Sequence, residues 1–172
     1  MLKRLLIRNI ALIDELALSL TDGLNVLSGE TGSGKSIIVD SVSFLLGGRA
    51  DRSIVREGTP KAYVEGVFSV RGNAAAQQQL QELSLETDDD ELLLSRELSI
   101  AGKSTCRVDG VVISLGALRQ LAETLMDIHG QHEHQSLLKV SNHIKLLDNY
   151  NSKLVQDKEQ FASLLAQYKD VS

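Results

Sequence analysis

The chain has 172 residues, 42% of them hydrophobic and only 3% aromatic, with a net charge of −5. That is long enough and apolar enough for one domain with a core of Leu, Ile, Val and Ala, which excludes an intrinsically disordered chain. The acidic balance does not advertise a nucleic-acid binder, and the single cysteine, Cys106, leaves no intrachain disulfide.

The start, Met1-Leu2-Lys3-Arg4-Leu5-Leu6-Ile7-Arg8, is interrupted by charge before it could supply the roughly 7–15 apolar residues of a signal peptide. No run approaches the roughly 20 residues of a membrane span, so the expectation is a soluble, intracellular protein. Two strands are predicted over 5–10 and 13–20, the second alternating Leu16, Leu18 and Leu20 with Ala17 and Ser19. After the turn Thr21-Asp22-Gly23, the apolar run 24–28 reads as a strand feeding a glycine-rich loop. Helical spacing follows over 36–46, and Gly47-Gly48 ends it.

Residues 49–60 form a polar loop, 62–70 alternate as a strand, and 73–83 read as a short helix. Asp88-Asp89-Asp90 lacks the pattern of a calcium loop and is expected to be a solvated turn. Strands are predicted over 92–98, 104–108 and 111–113, the last two joined at Asp109-Gly110, where both positions tolerate positive φ. Ser114 can cap a helix over 115–124, and 125–128 reads as one more buried strand. From Asn149 onward glycine and proline vanish; Leu154, Phe161 and Tyr168 fall seven apart with Leu165 beside them, so either a coiled coil begins here or an ordinary amphipathic helix closes the chain.

Chemistry concentrates in Gly29-Glu30-Thr31-Gly32-Ser33-Gly34-Lys35-Ser36, which satisfies the phosphate-loop pattern G-x-x-x-x-G-K-[ST]. The glycines let the backbone curl without a Cβ in the way, and successive N–H groups form an anion nest. A helix opening near Lys35 aims its positive end, with Ser36 and Ile37 in its first turn, at the same place. Lys35 can bridge the β- and γ-phosphates of ATP, and the Ser36 hydroxyl can ligate Mg²⁺. The apolar run ending in Asp14-Glu15 precedes this loop and is read as a hairpin corner, not as a water-activating carboxylate strand.

The start Leu5-Leu6-Ile7-Arg8-Asn9-Ile10, the phosphate loop, Leu45-Leu46-Gly47-Gly48-Arg49-Ala50 and Ile128-His129-Gly130-Gln131-His132-Glu133-His134-Gln135 together resemble the RecN family, a branch of the structural-maintenance-of-chromosomes class of ABC ATPases. The resemblance covers residues 1 to about 150. It implies an α/β P-loop head lobe with a mixed sheet over 1–148 and the start of a coiled-coil helix over 149–172. It implies that Gln131 is the Q-loop glutamine touching Mg²⁺ and the attacking water, that Arg56 senses nucleotide and DNA near a head interface, a match needing a one-residue offset, and that Arg8 and Asn9 lie near the nucleotide.

The partners implied are the protein's own C-terminal head lobe, a second head in a homodimer, and DNA at double-strand breaks, with no membrane; the place is the cytoplasm, at the nucleoid. Leu27-Ser28-Gly29-Glu30 resembles part of the ABC signature sequence but overlaps the phosphate loop. No downstream Asp-Glu strand and no full signature are present, so the chain alone is expected to bind nucleotide weakly and to turn it over poorly. His129, His132 and His134 have spacing that a metal could use, an alternative to the Q-loop reading. The rival function is a small-molecule or nucleotide kinase with a lid built on Arg49, Arg52 and Arg56.

Overall fold

The structure, a computed structural model, describes residues 1–30, 34–85, 90–126 and 128, together with 144, 157, 160, 161, 164, 165 and 168. Within residues 1–126 the described elements follow in chain order: β1 (Leu2–Ile10), β2 (Ile13–Ser19), α1 (Lys35–Leu45), β3 (Lys61–Ser69), α2 (Ala74–Glu82), β4 (Glu91–Ser99), β5 (Ser104–Val108), β6 (Val111–Ile113) and α3 (Leu115–Leu125). A 3₁₀ turn, Arg52–Ile54, interrupts the loop before β3.

The strands form one sheet in the order β2-β1-β3-β4-β5-β6, antiparallel at each pairing. Its inner rows run Leu5–Gly66–Leu94–Val108 and Ile7–Val64–Arg96–Cys106 across four strands. Every member of these rows is buried. Period-2 alternation therefore sorts the sheet into a core face and a polar face. On the polar face Lys61 pairs with Glu97 at 2.7 Å, and the Tyr63 hydroxyl donates to Glu65 at 2.5 Å. The bond from Lys61 holds the Glu97 carboxyl below its ordinary range. Helix α1 covers the inner face with Val42, Phe44 and Leu45, and α3 adds Leu118, Leu121 and Leu125.

Gly66 is what lets α1 come this close. A Cβ there would stand 2.7 Å from Leu45 Cδ2 and 3.0 Å from Phe68 Cε2, both in fully buried side chains. Gly66→Ala should therefore destabilise the chain by about 1–3 kcal/mol through overpacking. Chemical denaturation measures this directly, and an unchanged midpoint would mean the helix can ride higher at no cost.

Turn chemistry places the punctuation where the sequence predicts it. Asp109 and Gly110 take φ of 46° and 81°, and the Ser114 side chain accepts from the Ala117 N–H at the start of α3. Asn73 caps α2 and also donates to the Thr124 carbonyl, tying α2 to α3.

Two predicted strands are not formed. Residues 24–28 join no strand and lie exposed, Leu24 at 89% and Val26 at 74%. Leu125 is the last residue of α3, and Met126 leaves it in extended geometry without a ladder. Hydrophobicity can nominate a strand, but only a neighbouring backbone can complete one. Among the described residues none lies in register with either segment.

The chain divides into two compact units, 1–127 and 128–172. In the second, Ile144, Asp157, Gln160, Phe161, Leu164, Leu165 and Tyr168 are helical, and Phe161, Leu165 and Tyr168 of the heptad seam are exposed. Among the described residues no helix is long and apolar enough to cross a membrane.

Candidate phosphate-binding site

Helix α1 opens directly out of the glycine-rich loop. Gly34 is its N-cap, in the left-handed region at φ 91° and ψ 3°, with no side-chain cap on the helix. Only glycine takes that conformation freely. A helix start without a side-chain cap leaves its leading N–H groups available to an anion, where the helix dipole adds attraction. Lys35 folds back across the loop, its Nζ donating to the carbonyls of Gly29 at 2.5 Å and Glu30 at 2.6 Å. Its ammonium is thus held against the first two residues of the loop. Ser36 is exposed in the first turn, and Ile37 is half-buried behind it. Gly29, Glu30, Gly34, Lys35, Ser36 and Ile37 are therefore brought together; Thr31, Gly32 and Ser33 lie outside the described residues.

A second group of predicted residues meets at the β1–β2 corner. Arg8 pairs with Glu15 at 2.8 Å across the hairpin. Asn9 turns the chain at φ 55°, which its short polar side chain tolerates. Its carbonyl accepts from the Arg56 N–H at 3.0 Å, and Arg56 Nη1 donates to the Leu12 carbonyl at 2.8 Å. Arg8, Asn9 and Arg56 thus share one corner, with Asp14 and Glu15 on the hairpin as expected. Beside it lies an open hollow of about 480 Å³ lined by Arg52, Arg56, Pro60 and Ile100 among others.

Gln131, the second Mg²⁺ candidate after Ser36, lies outside the described residues, as do His129, His132, His134, Asp88 and Asp89. Asp90 pairs with Arg71 at 3.4 Å. Among the described residues no group of three or more His, Cys, Asp or Glu could hold a metal ion. Cys106 is buried, and burial pushes its thiol up, away from reactivity.

Two residues that sequence reasoning passes over hold the far end of the helix. Arg96 on β4 is buried, and its Nη1 donates to the carbonyls of Phe44 at 2.6 Å and Gly48 at 2.8 Å. Its guanidinium lies 4.3 Å from the centre of the Phe44 ring, and its Nε donates to Ser104 Oγ at 3.2 Å. Arg119 on α3 donates from Nε to the Gly47 carbonyl at 2.7 Å. Burial pulls the Arg96 guanidinium below its ordinary value, and the nearby charge of Arg119 adds to this. The signal was present in the alternation: Leu92, Leu94, Arg96 and Leu98 share one register, so a lone cation stands in an inward row.

An antiparallel sheet covered by the helix that follows a glycine-rich phosphate loop defines the N-terminal lobe of an ABC-type P-loop ATPase head. The chain belongs to the AAA domain family, which it matches over residues 4–171. The DNA repair protein RecN of Halalkalibacterium halodurans is 44% identical over 150 residues, covering 87% of this chain and 26% of that protein. The RecN of Bacillus subtilis is 43% identical over the same shares. The chain thus spans about a quarter of the length of these curated relatives.

Among solved structures, an Smc head domain with an extended coiled coil, bound to the C-terminal domain of ScpA and derived from Pyrococcus furiosus, superposes with a TM-score of 0.65. It is 18% identical, over 99% of this chain and 48% of that one. A chain from work on ATP-driven dimerization and DNA-stimulated activation of SMC ATPases gives 0.61 at 18% identity, over 87% and 99%. At such identities the likeness is one of fold.

Proposed function

We propose that this chain is the ATP-binding lobe of a head that acts in DNA double-strand break repair. The observation that carries the reading is the phosphate loop itself: Lys35 held inward between the Gly29 and Glu30 carbonyls, at the mouth of a helix with no side-chain cap. In this reading Lys35 exchanges those two carbonyls for the β- and γ-phosphate oxygens, and the helix N–H groups take the remaining charge. Ser36 is exposed in the first turn, and its hydroxyl suits a Mg²⁺ ligand; Mg²⁺, when bound, would neutralise charge on the phosphates. Gln131 offers both a carbonyl acceptor and an amide donor, so one group can face the metal while the other orients water. Arg8, Asn9 and Arg56 would serve the nucleotide from the hairpin corner.

The C-terminal head lobe is the proposed partner for the exposed segment 24–28, because its Leu24, Val26 and Leu27 are apolar and exposed and the segment joins no ladder. The heptad seam of 149–172, with Phe161 and Tyr168 exposed, is proposed to begin the coiled coil that precedes that lobe. ATP would then join two such heads, with DNA bound by the whole protein in the cytoplasm, at the nucleoid. The relatives' name, DNA repair protein RecN, and the SMC ATPases' ATP-driven dimerization support this direction.

The kinase reading needs a mobile lid. Arg52 is instead packed against Gly102, where an added Cβ would sit 2.7 Å from its Nε, and Arg56 is bonded to the hairpin. Titrating a fluorescent ATP analogue with Mg²⁺ or with a chelator tests the proposal. Weak, saturable, Mg²⁺-strengthened binding is expected, with no ATP consumed when small-molecule or nucleotide acceptors are added. No saturable binding at millimolar nucleotide would overturn it, and acceptor-dependent consumption would restore the kinase.

A further inference from the structure

We infer that Arg96, assisted by Arg119, is a positioning residue for the nucleotide site: it fixes the phosphate-loop helix along its axis from the opposite end, so that the placement of Lys35 and Ser36 depends on strand β4. The functional part of this inference rests on the proposed reading of the loop as an ATP site.

The argument begins with what Arg96 lacks. Among the described residues no carboxylate pairs with it, although it is 97% buried by its 3% exposure. A buried charge must be compensated, and here the compensation is the C-terminal end of α1. The last carbonyls of a helix are without intrahelical donors and carry the negative end of its dipole. Arg96 takes Phe44 O and Gly48 O with one nitrogen, and Arg119 takes Gly47 O between them. Three carbonyls at and just past the end of the helix, those of Phe44, Gly47 and Gly48, are thus held by two cations from two different elements.

The grip is also steric. A Cβ on Gly47 would meet Arg119 Cγ at 2.5 Å, and one on Gly48 would meet Ser43 Oγ at 2.6 Å. The exit therefore packs against Arg119 at Gly47 and folds back onto the helix's own Ser43 at Gly48, with no room for a side chain at either. Ser104 Oγ fixes the other edge of the Arg96 guanidinium, which anchors the clamp to β5 as well.

Helix α1 has 11 residues. At 1.5 Å per residue it is a rod of roughly 16 Å, too short to bend appreciably. An axial slip at Phe44 is therefore delivered almost undiminished to Lys35 and Ser36. Charge alone would not suffice: a lysine is a point charge and cannot span two carbonyls and a hydroxyl in one plane as a guanidinium does. A cap acting only on stability would lower the melting temperature without a particular effect at the phosphate-loop end of the helix, and this separates the two roles.

The test uses the whole 172-residue chain. Arg96→Lys and Arg119→Gln are compared with Val108→Ala, a buried β5 truncation chosen for a matching loss of thermal stability. Backbone hydrogen exchange is followed over residues 38–41 without nucleotide, and the affinity for a fluorescent ATP analogue with Mg²⁺ is measured on the same samples. Arg96→Lys should speed exchange there and weaken binding by about tenfold, Arg119→Gln by about threefold, and Val108→Ala by less than about twofold. If exchange at 38–41 in Arg119→Gln matches wild type, or Arg96→Lys behaves as Val108→Ala does, the clamp is a stability feature only. Should Arg96→Lys fail to fold, the exposed Arg119 and the milder Ser104→Ala carry the same comparison. The exchange arm needs no ligand. A wild-type chain that binds no nucleotide therefore sinks the ATP reading and the functional part of this inference, while the exchange result decides the positioning.

Discussion

Lys35→Ala is expected to abolish measurable ATP binding while leaving the fold in place. The ammonium sits between two loop carbonyls, 2.5 and 2.6 Å from Gly29 and Glu30. Nothing in the sheet depends on those bonds, since Lys35 is the first residue of α1 and the core side of that helix begins at Ser41 and Val42. Removing it deletes the charge-assisted bonds to the phosphates, a loss of about a hundredfold or more in affinity, or about 2.7 kcal/mol. The melting temperature should move by no more than about 2 °C, as for a surface substitution. Circular dichroism and a nucleotide titration on one preparation give both readings. A folded Lys35→Ala chain that binds ATP as wild type does would remove the phosphate loop from the argument altogether.

Where local pattern decides structure, the sequence was sufficient. Asp109-Gly110 can only turn, Ser114 can only cap, and the alternation through β3 and β4 names the inner face residue by residue. The phosphate loop is equally legible, because its glycines and Lys35 act through backbone geometry that the motif itself encodes. The run 24–28 shows the limit. Its composition is that of a buried strand, yet burial and pairing must come from elsewhere, and no described segment supplies them. The same holds for the exit of α3. Arg96 failed for a different reason: an arginine is ordinarily a surface residue, and only the location of the α1 carbonyls, 52 positions earlier at Phe44, reveals why one lies inside. Gly66 was likewise unreadable, since its task is the absence of a side chain beneath Leu45. Arg56 was nominated by resemblance alone, and what its neighbourhood adds is a physical tether, through Asn9 and Leu12, to the corner that carries Arg8.

The 172-residue chain alone is expected to hydrolyse ATP at the background rate, and a complementing C-terminal lobe is expected to raise turnover by about a hundredfold or more. Binding phosphate and activating water are separate tasks. The first needs donors, which the loop and helix supply. The second needs a positioned carboxylate, and the Asp14-Glu15 pair on the hairpin is poorly suited to it: Glu15 is engaged by Arg8 at 2.8 Å, and Asp14 is exposed on β2, at the sheet edge. If a complementing lobe seats its strands on the apolar run 24–28, the same addition should slow hydrogen exchange there, since Leu24 and Val26 are otherwise open to water at 89% and 74%. Turnover and protection should rise together with lobe concentration. In the completed head Gln131→Ala should lower turnover far more than nucleotide affinity, because its amide is proposed to serve metal and water, not the base. Robust hydrolysis by the purified chain, abolished by Lys35→Ala, would show instead that this lobe carries its own base. Asp14→Asn and Glu15→Gln would then locate it, and the hairpin corner would have to be read as part of the catalytic site.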